Sequence, residues 1–104
     1  MKYIKEYKSS KSYEEGDYVL AFRGKMYYCQ IIEKESNNIY GAGSKGVPEI
    51  HTEYLLVGYE VISGKSIGIQ VREINNAQNT IIRKLKPNEI GEYDMYDKIE
   101  KYNL

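Results

Sequence analysis

The chain has 104 residues, one cysteine, and 15 basic against 15 acidic side chains. This length forms one domain with a single modest core, and the zero net charge argues against a sequence-blind grip on DNA or RNA. No intrachain disulfide is possible, so an intracellular setting is favoured and Cys29 is expected to be a small core residue. No apolar run approaches the ~20 residues that cross a bilayer, so we expect a soluble protein without membrane contact.

The first segment, residues 1–14, is polar and shows no sustained period. We expect a flexible N-terminal arm there, with a partner-binding tail as the alternative. The folded domain is then expected to cover residues 15–104.

Two β runs, DYVLAFR and MYYCQIIEK, follow each other between Glu15 and Glu35. Successive strand residues point to opposite faces, so Tyr18 and Leu20 share one face of the first run and the second run alternates in the same way around Tyr28. Gly24 lies between the runs and tolerates the positive φ of a tight reversal. We predict a β-hairpin on which the rest of the chain packs.

The next segment breaks the alternation, since residues 36–49 contain three glycines, two asparagines and a proline. We predict a loop insertion over residues 36–52. The glycines do not form the G-x-x-x-x-G-K-[ST] pattern and no helix follows, so a phosphate site is not expected. The single histidine, His51, has no cysteine or histidine cluster with which to bind a metal.

Three further runs, residues 53–62, 66–74 and 80–86, alternate like strands and are separated by short turns. Gly58 and Gly68 stand inside two of them, which suggests a bulge or a sharp bend. Five short strands with tight turns predict a mainly β fold, a small five-stranded antiparallel barrel of the SH3-like kind.

A C-terminal helix is predicted over about residues 89–103, after Pro87 ends the fifth strand. Tyrosines and isoleucine recur every three residues among charged side chains, which is the pattern of an amphipathic helix. The apolar stripe consists of Tyr93, Tyr96, Ile99 and Tyr102. We expect this stripe to cap one open end of the barrel, with a partner-binding face as the alternative.

The segment E-G-D-Y-V-L-A-F-R-G-K-M-Y-Y-C-Q-I-I resembles the opening of chromo-barrel domains of the MRG (mortality-factor-related) type. That family begins with Gly and a polar residue, followed by V-L/C-x-F-H-G-P-L-x-Y-x-A-K-I. Chromo barrels of MYST-type acetyltransferases are similar. The match runs from Glu15 to Lys34, and beyond it the order of strands and helix agrees. The resemblance implies a chromo-barrel fold with a C-terminal helix.

The resemblance also implies a non-catalytic chromatin module in the nucleus, whose partner is a histone tail or another chromatin protein. Family members bind methylated lysine in an aromatic cage, because ring faces attract the methylammonium cation. Tyr28 falls on one tyrosine of that cage and Tyr59 falls near another, while Arg23 stands where the family has a histidine. Since the chain has no tryptophan, the implied pocket is an incomplete cage.

Two alternatives stay open. One is a nucleic-acid-binding barrel, in which basic side chains contact phosphates and exposed tyrosines stack on bases. Its candidate residues are Lys25, Arg72, Arg83, Lys84 and Lys86, which equally fit a solvated face. The other is a plain protein-interaction domain that presents the 36–52 loop. We expect no enzyme, cofactor or metal, because the sequence offers no nucleophile with a base, no paired carboxylates in a cleft and no ligand cluster.

Overall fold

The structure, a computed structural model, describes residues 13–39 and 49–102. Its elements are β1 (Tyr18–Phe22), β2 (Met26–Ile39), β3 (Glu49–Glu60), β4 (Ser66–Ile74), β5 (Ile81–Lys84) and α1 (Pro87–Tyr102). The strands form one antiparallel sheet in the order β4-β3-β2-β1-β5. A mainly β fold with a C-terminal helix is thus confirmed. The sheet is not closed, because β4 and β5 are its two edges. Residues 1–12 of the predicted arm lie outside the part of the chain that the structure describes.

The β1–β2 hairpin forms where the alternating pattern predicts it. Phe22 pairs with Met26, and three residues make the turn. Gly24 adopts a φ of 76°, which a side chain would disfavour. The backbone N–H of Arg23 donates to the carbonyl of Lys25 at 3.0 Å, which closes the reversal.

Strands β2 and β3 extend further than the sequence pattern predicts. Residues 36–39 and 49–52 are paired strand rather than loop, and residues 40–48 lie outside the described part of the chain. The hydroxyls of Ser36 and Thr52 are 2.9 Å apart across this ribbon. Asn75 extends the pairing at the β4 side, since its backbone and side chain bond both main-chain groups of Ile50. Polar pairing of this kind leaves no apolar period in the sequence.

One face of the sheet, called the inner face here, carries the main apolar core. Its members come from all five strands and from the residue at the start of the described chain. They are Tyr13, Val19, Ala21, Tyr27, Cys29, Ile31, Tyr54, Leu56, Ile69, Val71 and Ile81. Because Ile69 on one edge strand and Ile81 on the other belong to the same buried cluster, the sheet bends strongly around this face. Burial raises the pKa of the Cys29 thiol to about 12, as fits a core residue.

The opposite face, called the outer face, is covered in part by α1. Leu20, Tyr28, Tyr59 and Leu85 from the sheet side form a second buried cluster with Tyr93 of the helix. The helix therefore lies across the outer face of the sheet.

Helix α1 begins at Pro87, two residues earlier than the sequence pattern predicts. Proline ends a strand, but its fixed φ and missing N–H also suit the first position of a helix. The Glu89 carboxylate accepts the backbone N–H of Lys86 at 2.8 Å, as in a capping box. The same carboxylate accepts two bonds of 2.8 Å from the Arg83 guanidinium, which ties the helix start to β5.

The two mid-strand glycines differ in their surroundings. A β-carbon at Gly58 would overlap the carbonyl oxygen of Tyr28 and lie 2.7 Å from the Cα of Cys29. A β-carbon at Gly68 would meet only the carbonyl oxygen of Leu56, at 3.9 Å. Only Gly58 is therefore required by close packing of strands.

We predict that Gly58→Ala lowers the free energy of unfolding by ~2 kcal/mol or more, because strand β3 must move away from β2. The matched variant Gly68→Ala should stay within ~0.5 kcal/mol of the parent chain. Urea unfolding of both variants is the measurement. Equal losses in the two variants would contradict the close approach at Gly58.

We predict that Glu89→Gln lowers the free energy of unfolding at neutral pH by ~1–2 kcal/mol. The substitution weakens the bond that caps the start of α1 and the two bonds to Arg83. The contribution of the Arg83 pair is reduced by solvent screening, because Arg83 is partly exposed. The bonds from Arg83 and Lys86 lower the pKa of Glu89 to about 2. A depressed folded pKa contributes stability above the ordinary carboxyl pKa of 4.5, and that stability is lost as pH falls toward 2.

Urea unfolding between pH 7 and pH 2 measures this effect. The difference between the parent chain and Glu89→Gln should shrink as the solution is acidified. The control is Glu53→Gln, which removes an exposed pair with Arg72 and should change stability by less than ~0.5 kcal/mol. A difference that is constant with pH would refute the assigned role of Glu89.

Candidate functional site

The two tyrosines of the predicted pocket lie side by side. Tyr28 on β2 and Tyr59 on β3 are cross-strand partners on the outer face. Both are buried, with 7% and 5% of their surface exposed. Arg23 is directed elsewhere, because its Nη2 donates at 2.9 Å to the carbonyl of Gln70 on β4. The structure therefore brings Tyr28 and Tyr59 together and leaves Arg23 apart from them.

Carboxylates on α1 accept hydrogen bonds from the hydroxyls of Tyr28 and Tyr59. Tyr28 Oη donates to Glu92 Oε1 at 2.8 Å. Tyr59 Oη lies 2.7 Å from Asp97 Oδ1 and 3.0 Å from Glu100 Oε1. The helix therefore meets the sheet through phenol-to-carboxylate bonds.

These bonds change how the groups titrate. Burial, and then the bond to Glu92, raises the pKa of Tyr28 to about 12. The pKa of Tyr59 is also raised, first by burial and then by the bonds to its two carboxylates. The bond from Tyr59 in turn lowers the pKa of Asp97, with a smaller contribution from Lys101. Both phenols are thus held as neutral hydrogen-bond donors.

Tyr59 belongs to a cluster of aromatic rings. The ring centroid of Tyr93 lies 5.3 Å from that of Tyr59 and 5.2 Å from that of Tyr18, both edge to face. Tyr96 lies 6.0 Å from Tyr59 with the rings tilted by 44°. The resemblance assigned no role to Tyr93 or Tyr96. Their three-residue spacing was visible in the sequence, but it predicted a cap on an open barrel end.

A groove of about 430 Å³ runs beside Tyr59, between α1 and strands β3 and β4. We call it the α1 groove. Its chemically distinctive lining residues are Tyr59, Tyr93, Asp97, Glu100 and Gly68. No lysine or arginine is among the residues that line it. The two lining tyrosines are largely buried, and beside them the groove presents two carboxylates and open space above Gly68, a combination that attracts an organic cation.

The predicted nucleic-acid contacts are mostly held in ion pairs. Each of four basic side chains lies within 4 Å of a carboxylate, and the exposed Lys86 begins the cap of α1. The pairs are Lys25 with Glu60 at 3.7 Å, Arg72 with Glu53 at 3.1 Å, Arg83 with Glu89 at 2.8 Å, and Lys84 with Asp17 at 3.5 Å. Local neutralisation of this kind weakens attraction to phosphate.

The last candidates from the sequence are His51 and a metal-binding cluster. His51 Nε2 lies 3.0 Å from Glu49 on the exposed ribbon. Among residues 13–39 and 49–102, no group of three histidine, cysteine, aspartate or glutamate side chains could hold a metal ion. In the same ranges, no helix is long and apolar enough to span a bilayer.

We predict that Tyr28, Tyr59 and Tyr93 of the folded chain ionise only as the structure unfolds in alkali. The pKa values of Tyr28 and Tyr93 are raised to about 12, above the ordinary value of 10. A raised folded pKa contributes stability below pH 10, and that stability is lost as pH rises toward 12.

Tyrosinate absorbance is the measurement, with the urea-unfolded chain as the control in which all twelve tyrosines titrate near ~10. The folded chain should show a late, cooperative step. Coincident curves for the two states would refute the buried phenol bonds.

The chain was also compared with known proteins. A scan against models of protein families, a search of curated proteins and a search of solved structures each found no match.

Proposed function

We propose that this chain is a non-catalytic binding module of the chromo-barrel type, acting in the nucleus. Its partner is a histone tail or another chromatin protein, and its ligand is a lysine side chain, methylated on its amino group. The α1 groove is the binding site, in place of the cage of Tyr28, Tyr59 and Arg23 that the resemblance implies. Tyr59 is the residue common to both.

The observation that carries this proposal is the environment of Tyr59. Its ring stands against Tyr93 and Tyr96, and its hydroxyl lies between Asp97 and Glu100. Tyr59, Tyr93, Asp97 and Glu100 all line the α1 groove. A methylated ammonium keeps its charge but is poorly hydrated, so it gains from ring contact and from nearby carboxylates. The groove provides both within the length of one side chain.

The bend of the sheet supports an SH3-like barrel as the fold of this module. Both edge strands contribute to the core of the inner face. The Arg23 guanidinium donates a hydrogen bond to the carbonyl of Gln70, so a side chain of the β1–β2 turn contacts edge strand β4. In the proposed barrel, the same five strands curl until the edge strands β4 and β5 approach each other.

The charge of the groove favours a basic peptide over a nucleic acid. Asp97 and Glu100 repel phosphate, and four of the five basic side chains considered for phosphate contact are paired. A nucleic-acid-binding role would require an affinity that falls steeply with added salt.

Titration of the chain with a trimethyl-lysine histone peptide and its unmethylated counterpart tests the proposal. We predict that the trimethylated peptide binds about 3- to 30-fold more tightly, the range expected of a cation against aromatic rings. Gly68→Val places a side chain in the groove without touching the core and should abolish this preference.

The control variant is Gly91→Ala, at an exposed helix position where a β-carbon meets nothing within 4 Å. It should bind like the parent chain and be more stable by ~0.5–1 kcal/mol. Equal binding of the two peptides, or an unchanged preference in Gly68→Val, would contradict the proposal.

A further inference from the structure

The inner face of β4 ends in an unexpected residue. Ile67, Ile69 and Val71 point inward, and the next inward position is Glu73. This carboxylate is only 6% exposed. A carboxylate at a core position is costly to bury unless a donor or a cation compensates its charge.

The contacts of Glu73 compensate it only in part. Tyr54 Oη donates to Glu73 Oε1 at 3.5 Å, which is a long bond. Lys34 is the cation that acts on this carboxylate, but it donates its ammonium protons to the carbonyl of Tyr13 at 2.7 Å and to Glu14 at 3.1 Å. Burial raises the pKa of Glu73, while Lys34 and Tyr54 lower it by less. The ionised form therefore lacks a strong partner among the described residues.

A cavity of about 230 Å³ adjoins this carboxylate, beside the turn between β4 and β5. Tyr13, Glu73, Asn76, Gln78, Ile81 and Ile82 line it. The ring of Tyr13 stands edge to face against that of Tyr54, 6.4 Å between centroids and 81° between planes. The cavity thus combines one buried carboxylate, a phenol and an apolar wall.

We propose that this cavity binds the primary ammonium group of a small organic cation, which forms an ion pair with Glu73. The cavity opens from the inner face, whereas the α1 groove lies on the outer face. The two sites share no lining residue, so this inference does not depend on the proposed function.

The lining residues select the chemical class. The carboxylate repels anions and accepts N–H donors, which a primary ammonium has and a quaternary ammonium lacks. A single carboxylate supplies too few oxygen ligands to hold a calcium ion, which takes six to eight. Ile81 and Ile82 suit a short alkyl chain attached to the nitrogen.

Calorimetric titration of the full chain with n-butylamine, and separately with tetramethylammonium, tests the inference. We predict saturable binding of n-butylamine and at least ~10-fold weaker binding of tetramethylammonium. Binding must favour ionised Glu73, so mildly acidic solutions should show proton release, measured in two buffers of different ionisation heat. Tyr13, Tyr54, Lys34 and Glu14 are the other titratable groups that face the same region.

Glu73→Gln should weaken n-butylamine binding at least ~10-fold and remove the proton release. It should fold at least as stably as the parent chain, since a buried charge becomes a neutral amide, and urea unfolding verifies this. Glu53→Gln, which changes an exposed carboxylate, and Gly68→Val, which fills the α1 groove, should bind n-butylamine like the parent. Unchanged binding in Glu73→Gln, equal binding of the two amines, or no saturable binding would overturn the inference.

Discussion

The hydrogen bonds between sheet phenols and helix carboxylates are the interaction on which the arrangement of this molecule depends. Tyr28 and Tyr59 donate to side chains of α1, and Tyr96 donates in return to the carbonyl of Val61 at 2.8 Å. Within the described helix, Pro87–Tyr102, Tyr93 is the only buried residue. Apolar burial alone would let such a polar helix slide, whereas directional bonds fix its position and hence the width of the α1 groove.

Each face of the sheet carries a buried cluster, and each cluster is bordered by polar side chains. On the inner face the apolar core passes into Thr52 and Glu73, and on the outer face the phenols meet acidic side chains. Tyrosine suits the outer face because its ring fills space while its hydroxyl reaches a carboxylate. Gly58 has no side chain, and this lets β3 approach β2 closely at Cys29 within the sheet.

Alternation of side chains was enough to predict the strands and to sort their residues onto two faces, because that period follows directly from backbone geometry. It could not predict that residues 36–39 and 49–52 pair, because hydroxyl and amide bonds such as that of Ser36 with Thr52 leave no apolar period. The apolar stripe that contains Tyr93 and Tyr96 predicted a helix packed on the domain, but not which face of the sheet the helix contacts. Docking depends on bonds that span 35 to 64 positions in the chain, such as Tyr59 with Asp97, which no local pattern encodes.

A double-mutant cycle between Tyr59 and its two helix carboxylates measures whether their hydrogen bonds hold α1 on the sheet. The cycle compares Tyr59→Phe, the pair Asp97→Asn with Glu100→Gln, and their combination by urea unfolding. If phenol-to-carboxylate bonds fix α1 on the sheet, the changes will be non-additive, with a coupling of ~1–2 kcal/mol. Additivity to within ~0.3 kcal/mol would contradict the account, because the helix would then be held by packing alone.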